Sequence, residues 1–302
     1  MKEKTVIIIA GPTASGKTAL AVDLASHFRT SIISADSRQC FRELNIGVAK
    51  PSPAQLEQGK HFFIDSHSIQ QPVNAALFES YALEVVNELF KKQDTVIMAG
   101  GTGLYIRAFT HGMDEMPEVP AEIREGVIND YRDKGLSWLS EELTRLDPLF
   151  AASGEMQNPH RMLRALEILR LTGTSIRSFQ RGQSKERPFR VVKFALSVNK
   201  PELYSRINNR VDAMINDGLV DEVKALQDYK DLPPLQTVGY KELFEYFDGY
   251  SDFKTAVEAI KRNTRRYAKR QLTWFKKDPD YTWINPDDKE LMPRILEACA
   301  AS

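Results

Sequence analysis

The stretch that decides the fold is Thr5-Val-Ile-Ile-Ile-Ala10, followed at once by Gly11-Pro-Thr-Ala-Ser-Gly16-Lys17-Thr18. The first six residues are mostly apolar and β-branched, which is typical of a strand buried on both faces of a parallel sheet. The next eight match G-x-x-x-x-G-K-[S/T], a loop whose backbone N–H groups surround a phosphate at the N-terminus of a helix. Residues 17–28 have the apolar spacing of that helix. The sequence therefore predicts an α/β fold built around a P-loop.

Four more short apolar runs follow, and helical patterns such as residues 77–91 separate most of them. The runs are residues 31–35, 62–64, 95–99 and 191–198. Strands that alternate with helices indicate a mainly parallel sheet, here a P-loop NTPase-like core. Later helices are predicted at 201–216, 220–229 and 256–276.

Residues 113–188 interrupt this alternation, because they contain helical patterns and no strong strand. The helices are predicted at 121–134, 138–146 and 159–171. Segments of turn or loop composition mark both edges, at 116–120 and 180–184. We therefore predict a helical insertion domain at 113–188 in a core made of residues 1–112 and 189–302.

Composition excludes several classes of protein. Of the 302 residues, 42% are hydrophobic and 27% are charged, which is typical of a globular protein and excludes a disordered one. The apolar run at residues 6–10 is too short for a membrane span or a secretion signal, so we expect a cytoplasmic protein without a membrane partner. Cys40 and Cys299 lie outside disulfide-framework and zinc spacings. The histidines lack paired metal-ligand spacing, so Mg²⁺ is the only metal expected, and a monomer is the default.

Charge is balanced over the whole chain, with 41 basic and 41 acidic residues, but it is unevenly distributed. Residues 161–190 have two acidic residues, and residues 261–277 have none. The basic residues of the first segment are Arg161, Arg164, Arg170, Arg177, Arg181, Lys185, Arg187 and Arg190. Such segments are typical of polyanion binding at one face, with a solvated helix face as the alternative. The aromatic Tyr267, Trp274 and Phe275 in the second segment are expected to pack on the core.

The phosphate loop predicts an anion site but does not decide the reaction. Lys17 is expected to reach phosphate oxygens, and the Thr18 hydroxyl is expected to hold Mg²⁺. In P-loop NTPases a core strand usually ends in an Asp that helps to hold Mg²⁺. Here the strongest later strand is followed by Gly100-Gly-Thr-Gly103. Asp36 and Asp65 also follow strands and could substitute, so nucleotide hydrolysis is disfavoured but stays open.

Several segments, in order from residue 11 to residue 275, resemble the tRNA dimethylallyltransferase family, also called tRNA isopentenyltransferase. They are the phosphate loop, 36–39 (DSRQ), 100–105 (GGTGLY), 158–167 (NPHRMLRALE), 206–223 (R-x-x-x-R-V-D-x-M-x-x-x-G-L-V-x-E-V), 238–242 (VGYKE) and 264–275 (TRRYAKRQLTWF). This set is far more specific than the phosphate loop alone. His160 departs from the family pattern, which usually has Gln there.

The resemblance implies a prenyl transfer. The dimethylallyl group would pass from dimethylallyl diphosphate to N6 of the adenosine 3′-adjacent to the anticodon, in tRNAs that read codons beginning with U. That exocyclic amine is a poor nucleophile, so a carboxylate that accepts its proton helps the C–N bond to form. Asp36 is our candidate for this base. A helix N-cap or a structural partner of Arg38 is the alternative role.

Departure of diphosphate requires donors already placed around its oxygens. The loop and the resemblance together assign diphosphate binding to Gly11, Thr13, Ala14, Ser15, Gly16, Lys17, Thr18 and Arg210. By resemblance, Thr102 would hydrogen-bond the bridging oxygen, which makes Asp36, Thr102 and Lys17 the catalytic set. An ordinary Gly-rich turn is the alternative for Thr102, and a salt bridge with Asp217 or Asp221 is the alternative for Arg210.

The expected acceptor is the anticodon stem-loop of tRNA. An adenine stacked in this loop must leave the stack before a buried base can act on N6. The resemblance assigns tRNA contacts to Asp36, Ser37, Arg38, Gln39, Arg124, His160, Arg161 and Arg164. Gln39 is suited to amide pairing with a base, and Arg38 to stacking or phosphate contact.

Three other functions stay open at this point. A small-molecule or nucleotide kinase would use the loop for ATP, but it leaves the two basic segments without a role. Prenyl transfer to free AMP or ADP leaves the insertion without a partner. A non-catalytic RNA-binding module would not need Lys17 and Thr18.

Overall fold

Parallel strands form the centre of the structure, a computed structural model that describes residues 3–180, 182 and 184–300. The sheet has six strands in the order β3-β2-β4-β1-β5-β6, and every neighbouring pair is parallel. The strands are β1 (Thr5–Ala10), β2 (Ile32–Ser34), β3 (His61–Phe62), β4 (Thr95–Gly100), β5 (Arg190–Leu196) and β6 (Tyr281–Ile284). The predicted P-loop-type α/β fold is confirmed.

The helices lie between these strands and after them. They are α1 (Lys17–Phe28), α2 (Pro53–Gln58), α3 (Ala75–Phe90), α4 (Gly103–His111), α5 (Ala121–Leu146), α6 (Pro148–Ala151), α7 (Pro159–Thr172), α8 (Ile176–Phe179), α9 (Lys200–Asn216), α10 (Leu219–Ala225), α11 (Tyr240–Phe247), α12 (Phe253–Phe275) and α13 (Leu291–Ala300). Short 3₁₀ turns lie at Ile46–Val48, Gln227–Tyr229 and Pro233–Leu235. No described helix is long and apolar enough to cross a membrane.

Strand β1 lies between β4 and β5, and all six of its residues are buried. On one side of the sheet, Leu20 and Leu24 of α1 pack in a single cluster with Ile7 and Ile9 of β1. Each such side chain contributes roughly 1.5–3 kcal/mol when fully buried. The packing fixes where β1 ends, and the phosphate loop begins at that end.

Strand order then brings three loops to one edge of the sheet. Because β2, β4 and β1 are adjacent and parallel, their carboxyl ends lie side by side. The loops that leave these ends are residues 11–16, 35–39 and 101–102. In open α/β sheets, this edge is where ligands bind.

The chain divides into two compact units. One ends at His111 and resumes at Glu186, and the other runs from Gly112 to Lys185. The second unit is helical, and its core includes Val127, Leu143 and Leu166. The sequence had suggested an insertion at 113–188.

Two features of the elements differ in detail from the sequence expectation. Helix α5 is one segment by its hydrogen bonds, but Gly135 inside it has φ 77° and ψ −175°, a conformation that favours glycine. The kink follows directly after residue 134, where the first of two helices was predicted to end. Several short elements were not predicted, because their apolar patterns are short and β6 becomes recognisable only when it pairs with β5; they are α2, α4, α6, α8, α11, β6 and α13.

Candidate active site

A narrow cleft of about 60 Å³ lies at the carboxyl edge of the sheet, in the first unit. Among the residues that line it, the sequence had already singled out Thr13, Lys17, Thr18, Asp36, Arg38, Gln39 and Arg210. Val48, Ala49, Tyr267 and Gln271 also line it, and the sequence had not assigned them to the site. Segments far apart in the chain thus contribute to one cavity.

The phosphate loop contains polar groups that have no protein partner. Ser15 Oγ is buried and is one of the two buried side-chain atoms, among the described residues, without a hydrogen bond. Gly16 is the N-cap of α1 and supplies no side-chain acceptor to the first-turn N–H groups. Gly11, Thr13 and Ala14 complete the connection from β1. A helix N-terminus with this arrangement is suited to an anion.

Lys17 lies at the base of the cleft, where its Nζ donates to the Pro12 carbonyl at 2.7 Å. Its pKa is lowered to about 8. Burial is the main cause, and the positive charge of Arg210 adds to it, whereas Asp36 opposes both. An incoming anion would stabilise this ammonium group, so the site is electrostatically incomplete without one.

Arg210 reaches the same region from α9. Its Nη1 donates to the Thr13 Oγ1 at 3.4 Å. The ion pairs of the described residues include none between Arg210 and Asp217 or Asp221, which were its alternative partners. Arg210 therefore faces the phosphate loop, as diphosphate binding would require.

Asp36 lies two residues after the end of β2 and lines the cleft with Lys17. Its Oδ1 accepts a hydrogen bond from the Arg38 backbone N–H at 2.9 Å, which fixes the carboxylate at the start of its loop. The Arg38 guanidinium has partners other than Asp36. It donates to the Val238 carbonyl at 3.2 Å and lies 5.6 Å from the Tyr267 ring centroid. The carboxylate is thus oriented by backbone and still borders the cavity.

Thr102 links the loops after β2 and β4. Its Oγ1 accepts from the Ser37 N–H at 3.0 Å and donates to the Ser37 Oγ at 3.3 Å. Its backbone N–H donates to the Ala35 carbonyl at 3.1 Å. To donate to a bridging oxygen, the hydroxyl proton of Thr102 must turn away from Ser37.

Gln39 uses its amide within the protein. Its Oε1 accepts from the Ser34 hydroxyl at 2.9 Å, and its Nε2 donates to the Ala49 carbonyl at 2.9 Å and the Val48 carbonyl at 3.4 Å. Amide pairing of Gln39 with a base stays a prediction, and it would require these contacts to be exchanged.

Gln271 is a site residue that the sequence analysis missed. It is buried on α12, where its Oε1 accepts from the Thr13 N–H and its Nε2 donates to the Gly101 carbonyl, both at 2.9 Å. Tyr267, one helical turn earlier, lines the cleft. Burial raises the pKa of Tyr267, and Asp36 raises it further, so the phenol keeps its proton. The available signal was a Tyr and a Gln four residues apart on one face of a basic helix.

Of the three aromatic residues predicted to pack on the core, Phe275 and Trp274 do so, whereas Tyr267 lines the cleft. Phe275 is fully buried, and Trp274 is partly buried against Gly103 at the start of α4. Some cations of the helix are paired within the protein, Lys261 with Asp212 at 2.7 Å and Arg265 with Asn208 at 2.6 Å. Lys269, Arg270, Lys276 and Lys277 are exposed.

The predicted tRNA contacts of the insertion lie in the second unit and make intramolecular bonds. Arg161 pairs with Glu155 at 2.7 Å. Arg164 pairs with Glu167 at 3.0 Å, and Arg124 approaches the same carboxylate at 4.0 Å. His160 is exposed at the first turn of α7, and Arg181 lies outside the described residues. The Arg161–Glu155 pair is exposed and weak enough to exchange for phosphates, whereas Arg164 also neutralises the buried carboxylate of Glu167.

Comparison with known proteins adds independent findings. Residues 39–278 match the family model described as IPP transferase. A tRNA dimethylallyltransferase of Cytophaga hutchinsonii is 44% identical over 295 residues, which cover 98% of this chain and 97% of that protein. A tRNA dimethylallyltransferase of Christiangramia forsetii is 46% identical over 283 residues, which cover 94% of each.

Two solved structures are similar over nearly the whole chain. A tRNA isopentenylpyrophosphate transferase from Bacillus halodurans has a TM-score of 0.72 at 35% identity, and the match covers 99% of this chain and 96% of that one. A eukaryotic dimethylallyltransferase acting on tRNA has a TM-score of 0.79 at 22% identity, covering 98% and 78%. At that identity, the second likeness concerns the fold alone.

Proposed function

Since the chain belongs to the tRNA dimethylallyltransferase family, we propose that it transfers the dimethylallyl group from dimethylallyl diphosphate to tRNA and releases diphosphate. The acceptor atom is N6 of the adenosine 3′-adjacent to the anticodon, in tRNAs that read codons beginning with U. The observation that carries this assignment to particular residues is the cleft itself. The Asp36 carboxylate lines this cleft together with Lys17 and Arg210, which supports an anion site there with a carboxylate in the same cavity.

The phosphate loop holds the leaving group. The buried Ser15 hydroxyl, the N-terminus of α1 and the Lys17 ammonium are donors without a full set of acceptors. A diphosphate would supply those acceptors, and the same donors would stabilise the charge that grows on it as the allylic C–O bond breaks. Arg210 adds a planar cationic group at the opening of the loop.

Asp36 is the general base of this proposal. It accepts the proton of the N6 amine as the C–N bond forms, so the amine nitrogen need not carry a full positive charge. The Arg38 N–H holds one oxygen of the carboxylate, which limits its rotation. Thr102 would turn its hydroxyl from Ser37 toward the bridging oxygen of the diphosphate.

Mg²⁺ is proposed as the metal, and Thr18 is the protein residue that would hold it. The described residues include no group of three or more His, Cys, Asp or Glu side chains that could hold an ion. Mg²⁺ often takes only one or two protein ligands and completes its shell with phosphates and water, so a hydroxyl that lines the cleft fits it. A bound ion would neutralise part of the diphosphate charge.

The acceptor is proposed to enter from the side of residues 36–49. The adenine must be extruded from the anticodon loop, and Ser37, Arg38 and Gln39 lie beside Asp36 to receive it. Arg124, His160, Arg161 and Arg164 of the second unit would follow phosphates of the stem. A tRNA acceptor is consistent with action in the cytoplasm, and a cleft built from one chain is consistent with a monomer.

The test is transfer of label. Purified protein and Mg²⁺ are incubated with labelled dimethylallyl diphosphate and unmodified tRNA, with parallel reactions containing ATP plus tRNA or dimethylallyl diphosphate plus AMP. We expect label in tRNA at the adenosine beside the anticodon. Label in AMP alone would move the acceptor to a free nucleotide, and phosphate release from ATP without prenyl transfer would restore the kinase.

A further inference from the structure

Two side chains of the sequence motifs have no role in the chemistry described so far. They are Glu222 on α10 and Tyr240 at the start of α11. Both side chains converge on the 3₁₀ turn Ile46–Val48, which belongs to the same connection after β2 as Asp36. We call residues 36–49 the acceptor segment.

The Glu222 carboxylate accepts three hydrogen bonds. The donors are the Ile46 N–H at 2.7 Å, the Gly47 N–H at 3.0 Å and the Tyr240 hydroxyl at 2.6 Å. Two backbone groups of the turn are therefore satisfied by one charged side chain, an arrangement stronger than neutral hydrogen bonds.

Tyr240 and Gly47 are packed too closely for any side chain on the glycine. Tyr240 is fully buried, and a Cβ on Gly47 would lie 2.6 Å from its ring. Burial raises the pKa of Tyr240, and Glu222 raises it further, so the hydroxyl always donates. The turn can occupy this position only because residue 47 is glycine.

The same elements also hold the side chains that border the cleft. The carbonyls of Val48, the last residue of the 3₁₀ turn, and of Ala49, the next residue, accept from Gln39. The Val238 carbonyl, two residues before Tyr240, accepts from the Arg38 guanidinium at 3.2 Å. One oxygen of the Glu242 carboxylate accepts from Asn263 of α12, and the other accepts from the Gly239 N–H at 2.8 Å. Glu242 therefore connects the Tyr240 motif to the helix that carries Tyr267.

We infer that Glu222 and Tyr240 are positioning residues for the acceptor half of the reaction. They hold the acceptor segment in its binding conformation before tRNA arrives, and the hydrogen bonds described for them involve no residue of the phosphate loop. The inference rests on the proposed function and specifies which half of it depends on these residues. A reaction can slow roughly 100-fold when a reacting group is displaced by about 1 Å. The hydrogen bonds that Glu222 and Tyr240 make to hold this loop, which we call the clamp, therefore matter for catalysis.

The inference is tested with Tyr240→Phe and Glu222→Gln. Tyr240→Phe removes only the hydroxyl and keeps the ring against Gly47, and Glu222→Gln keeps the side-chain volume but loses the charge. For each variant, kcat/KM with tRNA is measured alongside the Kd of inorganic diphosphate. We expect kcat/KM to fall roughly 10- to 100-fold while the Kd changes less than about twofold.

Two control variants separate positioning from stability. Tyr246→Phe removes a hydroxyl from the same helix, away from the acceptor segment. Ile295→Val removes a methyl group from the buried core beside α1, which lowers the melting temperature without touching the acceptor segment. Both should keep wild-type kcat/KM for tRNA at a temperature where all variants are folded by circular dichroism.

Three outcomes would overturn the inference: wild-type kcat/KM in both clamp variants, an equal loss of diphosphate affinity, or a loss in Ile295→Val as large as in the clamp variants. If the wild-type chain transfers no prenyl group to tRNA, the proposed function itself fails, and that result is distinguishable because it needs no variant.

Discussion

The phosphate loop and the acceptor segment border the same cleft, but they satisfy their polar groups in opposite ways. In the loop, Ser15 Oγ has no partner and Lys17 is held in a desolvated position beside another cation. In the acceptor segment, the Gln39 amide and the backbone of Gly47 already have partners. The loop therefore depends on its ligand for electrostatic completion, whereas the acceptor segment is preorganised by residues far away in the sequence.

The largest effect is expected from Asp36→Asn, which removes the proposed general base from the acceptor segment. The amide still offers an oxygen to the Arg38 N–H, so the loop should keep its shape. General-base catalysis contributes roughly 10²- to 10⁴-fold, and kcat for prenyl transfer should fall by that factor. Single-turnover measurement with saturating tRNA checks it.

Diphosphate affinity is the control for Asp36→Asn, and it should be retained. A variant that transfers the prenyl group at the wild-type rate would show that another group takes the N6 proton.

Lys17→Met should affect the phosphate loop rather than the acceptor segment. It removes a charge-assisted donor worth roughly 1.5–3 kcal/mol, so the Kd of inorganic diphosphate should rise roughly 10- to 100-fold. Binding of tRNA should change little, because Lys17 lies in the phosphate loop. Calorimetry with diphosphate and filter binding with tRNA give the two values. Equal losses in both would contradict the division into two halves.

The pH dependence of diphosphate binding tests whether the Lys17 charge stabilises the bound anion. The pKa of Lys17 is about 8 without ligand, and an anion favours the charged form, so the bound pKa is higher. Below pH 8 the affinity should therefore be insensitive to this group. Above it, the affinity should weaken by up to roughly tenfold per pH unit until the bound pKa is reached.

This profile is checked by titrating inorganic diphosphate between pH 6.5 and pH 9.5, in wild type and in Lys17→Met. Loss of the alkaline decline in the variant identifies Lys17 as the titrating group, whereas the same decline in both proteins would exclude it.

Gln271→Leu is expected to have a smaller effect. The variant leaves the Thr13 N–H and the Gly101 carbonyl without their side-chain partner, at a cost of roughly 1–3 kcal/mol of folding stability. Since Gln271 ties the phosphate loop to the turn after β4, diphosphate affinity should fall a few-fold. Urea unfolding and calorimetry measure the two effects. Gln227→Leu, on an exposed 3₁₀ turn, is the matched control and should be neutral.

The parts of this molecule whose residues are contiguous in the sequence could be predicted, whereas the parts that depend on tertiary contacts could not. The phosphate loop and α1 are readable because strand, loop and helix follow one another without interruption. Asp36, Thr102 and Arg210 needed the family resemblance, since nothing local marks them as neighbours. Gln271 was missed because its four-residue spacing from Tyr267 does not by itself indicate a site, and its partners at Thr13 and Gly101 are distant in the sequence. The partners of Gln39 could not be foreseen either, because a side-chain amide pairs equally well with a base or with backbone.

The smallest expected effect concerns the basic residues of the second unit. Arg161 makes an exposed ion pair that contributes little to stability, whereas Arg164 pairs with the buried Glu167, so Arg161→Ala should leave the melting temperature nearly unchanged and the double change to Ala should lower it. If each contacts one phosphate, tRNA binding should weaken, and the slope of log Kd against log salt should become shallower by roughly 1 to 2. Arg294→Ala removes an exposed cation paired with Asp288 in the first unit, and it should leave that slope unchanged. An unchanged slope in the double variant would mean that these arginines form only a solvated helix face, and the preorganised acceptor segment would then have to capture tRNA without help from that helix.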